Sequence, residues 1–425
     1  MIQSKKIYHI KAFLYSTFAR LKFSLGGQLG ANEIMALINS LSIKGWKNLY
    51  HDIPDVKIIN IAYITLLFSQ IVSDIVNGST SEDFIRGWAN IVMAIVVTNY
   101  LSTLLWRSNK SIIYYLTGAA IGVVFFGAEV EDFSLEKMGF FKFTLVPILN
   151  SVLLIVSCYL LKVVTKKSFT IVFIFIAYGL FNIAFDSRSN GLIFLIVSFI
   201  IYKRKMVGDV KMKTVFPFLI GGLIVFQGLY SLYVYQVLQG NIGGKHSEEQ
   251  FSMTSNPYNP INLLLAGRSE VYVAIIAVID KPIFGHGSWA PDPGAKYTLL
   301  AYKLHGEEDK LDNRLDMSNG KLIIPSHSVI FGIWMTSGIV GFIAFMRIVL
   351  LFYKRGFNLL KSSSIQASSY YPIIVFFIVN SAWIFLFSPL PHIKQSLPII
   401  IALIIVFHRK LELSNIQLPN KTNIN

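Results

Sequence analysis

The chain has one cysteine, Cys158, among 425 residues. A single thiol excludes an internal disulfide and any metal site built on clustered cysteines. Charge is scarce too: 14% of residues are Asp, Glu, Lys or Arg, against about a quarter in a soluble domain. Acidic residues are the rarer sign, 23 against 38 Lys and Arg, which leaves a formal net charge of +15. Walker, Rossmann and zinc motifs are all missing. No internal repeat and no Ser/Gly linker divides the chain. No cleavable signal peptide is expected, because Lys5 to Lys22 is broken by charges and lacks a clean apolar core.

What is abundant is apolar sequence: 54% of the residues are hydrophobic and the mean hydropathy is +0.57. The fold class this predicts is an all-α polytopic membrane protein. Crossing a hydrocarbon core of about 30 Å takes about 20 residues of helix. About ten such segments can be placed, at 57–76, 85–106, 111–128, 141–161, 169–186, 190–202, 214–234, 326–346, 370–388 and 395–408. Residues 1–55 are basic and mildly amphipathic, are interrupted at Gly26-Gly27-Gln28-Leu29-Gly30, and read as a cytoplasmic or interfacial segment.

The linkers alternate in charge. Arg107/Lys110, Lys162 to Lys167, Lys203-Arg204-Lys205, Arg347 to Lys361 and Arg409-Lys410 are basic, whereas Ser81-Glu82-Asp83, Glu129 to Asp132 and Asp186 are acidic. With ten spans every basic linker falls on one side, which the positive-inside rule makes cytoplasmic. That explains the positive charge better than nucleic-acid binding does. The organisation expected is 1–55 at the cytoplasmic face, spans over 56–235, one long loop over 236–325, spans over 326–410 and a tail over 411–425. The loop holds 8 Lys and Arg against 10 Asp and Glu, a net of −2, so the remaining chain carries +17. It is expected outside the membrane, as a folded cap with short helices, and both termini inside.

Four residues stand out in this frame. Arg188, in Asp186-Ser187-Arg188-Ser189-Asn190, opens a span from a short outer turn, against the charge bias; ionisable residues at such edges are functional candidates or interfacial ion pairs. Arg268 precedes an apolar run, Val271 to Ile279, whose positions 271, 272, 275, 276 and 279 form one helical face. A guanidinium beside the free N–H groups of a helix start suits a phosphate or diphosphate; without context it reads as a surface arginine. His286 lies between Gly285 and Gly287, where backbone can approach a ligand closely, or the ring can be structural. His327, after Pro325 where the loop meets the next span, suits a general base near neutral pH, or an interfacial hydrogen bond. His246 and His305 read as solvated. Glu307-Glu308-Asp309 with Asp312 lacks the spacing of a calcium loop. The spans carry almost no ionisable residues apart from Asp74, which argues against an ion-coupled transporter.

Ser187-Arg188-Ser189, Gly267-Arg268, Pro282 with Phe284-Gly285-His286-Gly287, and Ser326-His327-Ser328 leading into Gly338-Ile339-Val340-Gly341 follow one another in that order. Together they resemble the O-antigen ligase and O-antigen polymerase superfamily of bacterial envelope glycan enzymes, over roughly residues 180–345. The family histidine is commonly followed by Asn, where this chain has Ser328. The resemblance implies a GT-C-like helical fold and a metal-independent, inverting glycosyltransferase that needs no cofactor. Its donor would be a glycan on undecaprenyl diphosphate in the outer leaflet of the inner membrane. Arg188 and Arg268, with His286, would bind the donor diphosphate, and His327 would stand beside the acceptor hydroxyl. Expected partners are the bilayer, a chain-length regulator and a flippase. Polymerisation of repeat units is favoured over ligation to lipid A-core by the diverse, weakly charged loop. A transporter of polysaccharide or lipid-linked sugar is the alternative of another class.

Overall fold

The computed structural model describes the chain apart from residues 1, 25–27, 41–42, 128–138, 164–167, 205–226, 229, 243–246, 249–250, 253–255, 261, 263–267, 306–321 and 417–425. The described residues form a helical bundle with one small hairpin, β1 (Lys22–Ser24) antiparallel to β2 (Gln28–Gly30). In chain order come α1 (Ile2–Thr17), α2 (Ala31–Ser40), α3 (Ile43–Asp52), α4 (Pro54–Asn77), α5 (Ser81–Arg107) and α6 (Ser111–Phe126). A π-helical turn, Phe141–Leu145, leads into α7 (Val146–Val163), followed by α8 (Ser168–Ala184) and α9 (Arg188–Tyr202). Beyond them lie α10 (Ser269–Asp280), α11 (Lys296–His305), α12 (Val329–Lys361), α13 (Ser363–Gln366), α14 (Tyr371–Phe387), α15 (His392–Gln395) and α16 (Leu397–Ile416).

Among the described residues four helices are long and apolar enough to cross a membrane: Pro54–Asn77, Ser81–Arg107, Phe141–Leu161 and Val329–Lys361. Ser111–Phe126, Phe169–Ala184, Arg188–Tyr202 and Tyr371–Phe387 are apolar and shorter. The expected span at 214–234 falls largely outside the described residues. The span expected over 326–346 continues to Lys361 as a 33-residue helix. Charge at Arg347 does not stop it, because nothing in the following turns breaks a helix, and Arg355 finds Asp55 through two hydrogen bonds of 2.8 and 2.9 Å.

The termini of the helices follow local chemistry. Pro54 stands in the first turn of α4, and left-handed Gly78 (φ 62°) closes it. Thr80 caps α5 by accepting from the Asp83 N–H, with Glu82 and Asp83 in the first turn. Ser328 caps α12 by accepting from the Phe331 N–H.

Charged residues sort to the two ends of the bundle. Arg355 pairs with Asp55, Arg409 reaches the Asp52 carbonyl, Lys410 reaches Asn109, and Arg204 reaches the Gln366 carbonyl, all at one end. Arg188 lies at the other. Residues 1–55 are built into this bundle rather than laid along one end. α1 packs along α6, with His9 stacked on Tyr114 and bonded to Ser108, and Arg20 donating to the Gly127 carbonyl beyond the far end of α6. Gly118 and Gly122 allow the approach: a Cβ there would lie 2.3 Å from the Phe13 carbonyl oxygen and 2.7 Å from that of Thr17.

Candidate functional site

Three sequence motifs meet at the N-terminal half of α12. This helix is kinked at Gly338 (φ 70°, ψ −170°). Into the kink presses the turn 282–288: Ile339 N–H donates to the Ile283 carbonyl, His286 N–H to Met335 and Gly287 N–H to Thr336. α4 closes the arrangement from the other side, with Ser69 donating to the Ser337 carbonyl and Ser73 to that of Thr336. Carbonyls freed by the kink are thus satisfied by two neighbouring segments, as a buried break in a helix requires. Asp74 anchors the turn, accepting from the Ser288 N–H and hydroxyl, the Ser79 hydroxyl and the Trp88 indole.

That turn is where His286 sits, and its role there is structural. The ring is buried, stacks edge-on against Tyr297, and donates from Nε2 to the Ala277 carbonyl at 2.8 Å. Burial lowers its pKa, which the Ala277 hydrogen bond partly offsets. It lies at the C-terminal end of α10, with Arg268 at the other, so the structure does not bring His286 to the arginines. The glycines beside it serve helix packing: a Cβ on Gly285 would stand 2.6 Å from the Met335 oxygen.

α10 itself buries Val273, Ala274, Ala277 and Val278, not the face through 271, 272, 275, 276 and 279 expected from periodicity. Tyr272 and Ile279 are exposed. The helix is apolar almost all round, so hydrophobicity alone does not set its rotation; the two alanines allow the closest packing against α12.

At its N-terminus α10 carries the charged cluster. Arg268 is the cap residue, at φ −146° and ψ 36°, with its guanidinium over the Trp383 ring of α14 at 5.3 Å. Arg188 opens α9, lies over Phe251 at 5.7 Å and pairs with Asp186 at 3.4 Å. Asp186 holds a left-handed backbone (φ 58°) and accepts a hydrogen bond from Ser247. Burial pushes the Arg268 pKa down, Glu270 pushes it up and Arg188 pushes it down again, so the two guanidiniums lie within each other's field. Lys142, in the π-helical turn, interacts with Asp186, Arg188 and Arg268. Lys142, in the turn before α7, and the arginines that open α9 and α10 thus lie within range of one another's charge, against the carboxylates of Asp186 and Glu270. Gly267 lies outside the described residues.

His327 completes the group. Its Nδ1 is 3.9 Å from Glu270 Oε1. Both residues line a cavity of about 830 Å³, whose wall also holds Gln70, Asn90, Trp289 and Tyr302. The arginines do not line it. Glu270 and His327 therefore stand between a cationic cluster on one side and a largely apolar cavity, with a few polar and aromatic side chains in its wall, on the other. Among the described residues no group of three or more His, Cys, Asp or Glu could hold a metal ion.

Sequence reasoning placed Arg188, Arg268 and His327 and missed Lys142 and Glu270. Lys142 carries the signal that singled out Arg188: a cation opening a span at the acidic end. Glu270 gives no local signal beyond that of an acid suited to a helix start. Its neighbour His327 is 57 residues away, and nothing local announces the pairing. His246 and the acidic stretch 307–312 lie outside the described residues. No protein-family model matches the chain, and no curated protein is significantly similar to it.

Proposed function

We propose that this chain is a bacterial inner-membrane glycosyltransferase that polymerises oligosaccharide units carried on undecaprenyl diphosphate. The observation that carries the reading is the convergence of Arg188, Arg268 and Lys142 beside a histidine that faces a separate cavity. In this reading the cationic cluster holds the donor diphosphate and the 830 Å³ cavity takes the acceptor sugars. A cavity of that size suits a small oligosaccharide, and Trp289 and Tyr302 offer flat apolar faces to sugar rings.

The chemistry follows from the charges. The acceptor hydroxyl, held at His327, loses its proton as its oxygen attacks the anomeric carbon. The bond from that carbon to the diphosphate breaks, and its electron pair leaves on the phosphate oxygen. Negative charge grows there, and guanidiniums already fixed by Asp186, Phe251 and Trp383 stabilise it without reorganising. A single displacement inverts the anomeric centre, as the resemblance implies. The donor enters from the outer leaflet, the loop 236–325 is periplasmic and both termini are cytoplasmic; a flippase supplies the donor and a chain-length regulator limits the product.

Deletion of the gene, followed by analysis of surface and lipid-linked glycans, tests the reading. Loss of a polymerase leaves single repeat units on the core. Bare core with long chains still on the lipid carrier would instead indicate ligation to lipid A-core. Unchanged glycans would sink both. At preserved expression, Arg188→Ala and Arg268→Ala are expected to abolish assembly. Lys at either position keeps charge but loses the bidentate fork, so partial activity is expected.

A further inference from the structure

Glu270 lies in the first turn of α10, two residues after Arg268 and in the wall of the cavity. An acid at a helix start is favoured by the helix dipole, and such residues ordinarily point to water. This one is only 23% exposed, and its Oε2 is buried with no hydrogen-bond partner among the described residues. A buried carboxylate oxygen without a donor is costly. Its other oxygen faces His327 Nδ1 at 3.9 Å, within ion-pair range; catalytic hydrogen bonds are often this loose before substrate closes a site.

We propose that Glu270 is the positioning residue for His327, holding the ring through Nδ1 so that Nε2 serves the acceptor hydroxyl in the cavity. The inference rests on the glycosyl-transfer reading above and deepens it. The hydroxyl proton passes to Nε2, the oxygen lone pair forms the bond to the anomeric carbon, and the diphosphate departs with the electron pair of the broken bond. His327 is then an imidazolium beside a carboxylate, the arrangement that stabilises the base after it has taken the proton. Other groups line the cavity around it. α4 and α5 offer Gln70 and Asn90 to the cavity, and the turn after α14 offers Pro389, Leu390 and Pro391. Tyr302 of α11 is the other titratable group in the wall, and Arg268 is the cation acting on Glu270 from the donor side. Glu270 thus links the two halves of the site.

The test uses full-length protein with Glu270→Gln and Glu270→Asp, and two readouts. One is glycan assembly. The other is the pH midpoint for modification of His327 by diethyl pyrocarbonate, followed by mass spectrometry of its peptide. A carboxylate beside a histidine favours its charged form. Glu270→Gln is therefore expected to move the midpoint down by roughly one pH unit and to cut assembly at least about tenfold. Glu270→Asp, which keeps the charge, should retain part of both. An unmoved midpoint in Glu270→Gln overturns the pairing, and a moved midpoint with full assembly overturns the positioning role. A moved midpoint in a chain whose wild type assembles no glycan overturns the role together with the reading it rests on, and the midpoint tells that failure from a failed pairing.

Discussion

Asp74 and Ser288 are 214 residues apart and share two hydrogen bonds, from the Ser288 N–H at 2.6 Å and from its hydroxyl at 2.8 Å. The same carboxylate takes Ser79 and Trp88, so four donors end on one side chain. The single acid that stood out among the apolar spans is therefore the fastening of the 282–288 turn. Asp74→Ala leaves four donors without an acceptor, and a loss on the order of 3 kcal/mol or more is expected. Ser288→Ala removes one hydrogen bond and should cost about 1 kcal/mol. Thermal unfolding of the purified variants in detergent checks both; equal losses would show that Asp74 is not the hub.

Gly338 and Gly78 both have positive φ, at 70° and 62°, and differ in their surroundings. A Cβ on Gly338 would lie 2.0 Å from the Ile283 oxygen, whereas nothing lies within 4 Å of one on Gly78. Gly78→Ala should cost only the left-handed backbone strain, about 1 kcal/mol. Gly338→Ala adds a backbone clash to a conformation nearly reserved for glycine, and should cost upwards of about 3 kcal/mol. Comparable melting temperatures for the two variants would contradict the interlock between α12 and the turn.

The lowered pKa of His286 makes stability depend on pH. Burial disfavours its imidazolium in the folded protein, while the unfolded chain protonates at the ordinary value near 6.5. Above that value neither state binds the proton and the contribution is complete. As pH falls below it the unfolded state gains protons first, so stability declines. The melting temperature should fall between pH 7 and pH 5, with a shallower slope in His286→Gln, whose amide can still reach the Ala277 carbonyl. Identical slopes would remove His286 from the acid response.

How much of this was legible in the residues depended on the range of the signal. Span lengths, helix caps and the sorting of charge are local or periodic, and the helices Pro54–Asn77, Ser81–Arg107 and Arg188–Tyr202 contain the segments expected of them. Arg188, Arg268 and His327 were marked by composition at boundaries. His286 was open to a ligand or a structural reading from its glycines, its diphosphate role coming from the resemblance, and the chain uses those glycines for close approach to the backbone of α12. The rotation of α10 was not readable from a helix apolar all round, and the Glu270–His327 contact depends on that rotation. The continuation of α12 past Arg347 was hidden because one of its charges, Arg355, is met by Asp55, a residue near the start of the chain.

The packing of α1 on α6 bears on how the protein is made. His9 and Ser108 are 99 residues apart, and chains are synthesised at about 5–20 residues per second. α1 therefore leaves the ribosome roughly 5–20 s before the glycine-lined groove that receives it. During that interval the helix, which bears Lys5, Lys6 and Lys11, has α2 as its partner, through Lys11 donating to Asn39. Biogenesis of this protein thus includes a waiting period before its first helix reaches the groove of α6.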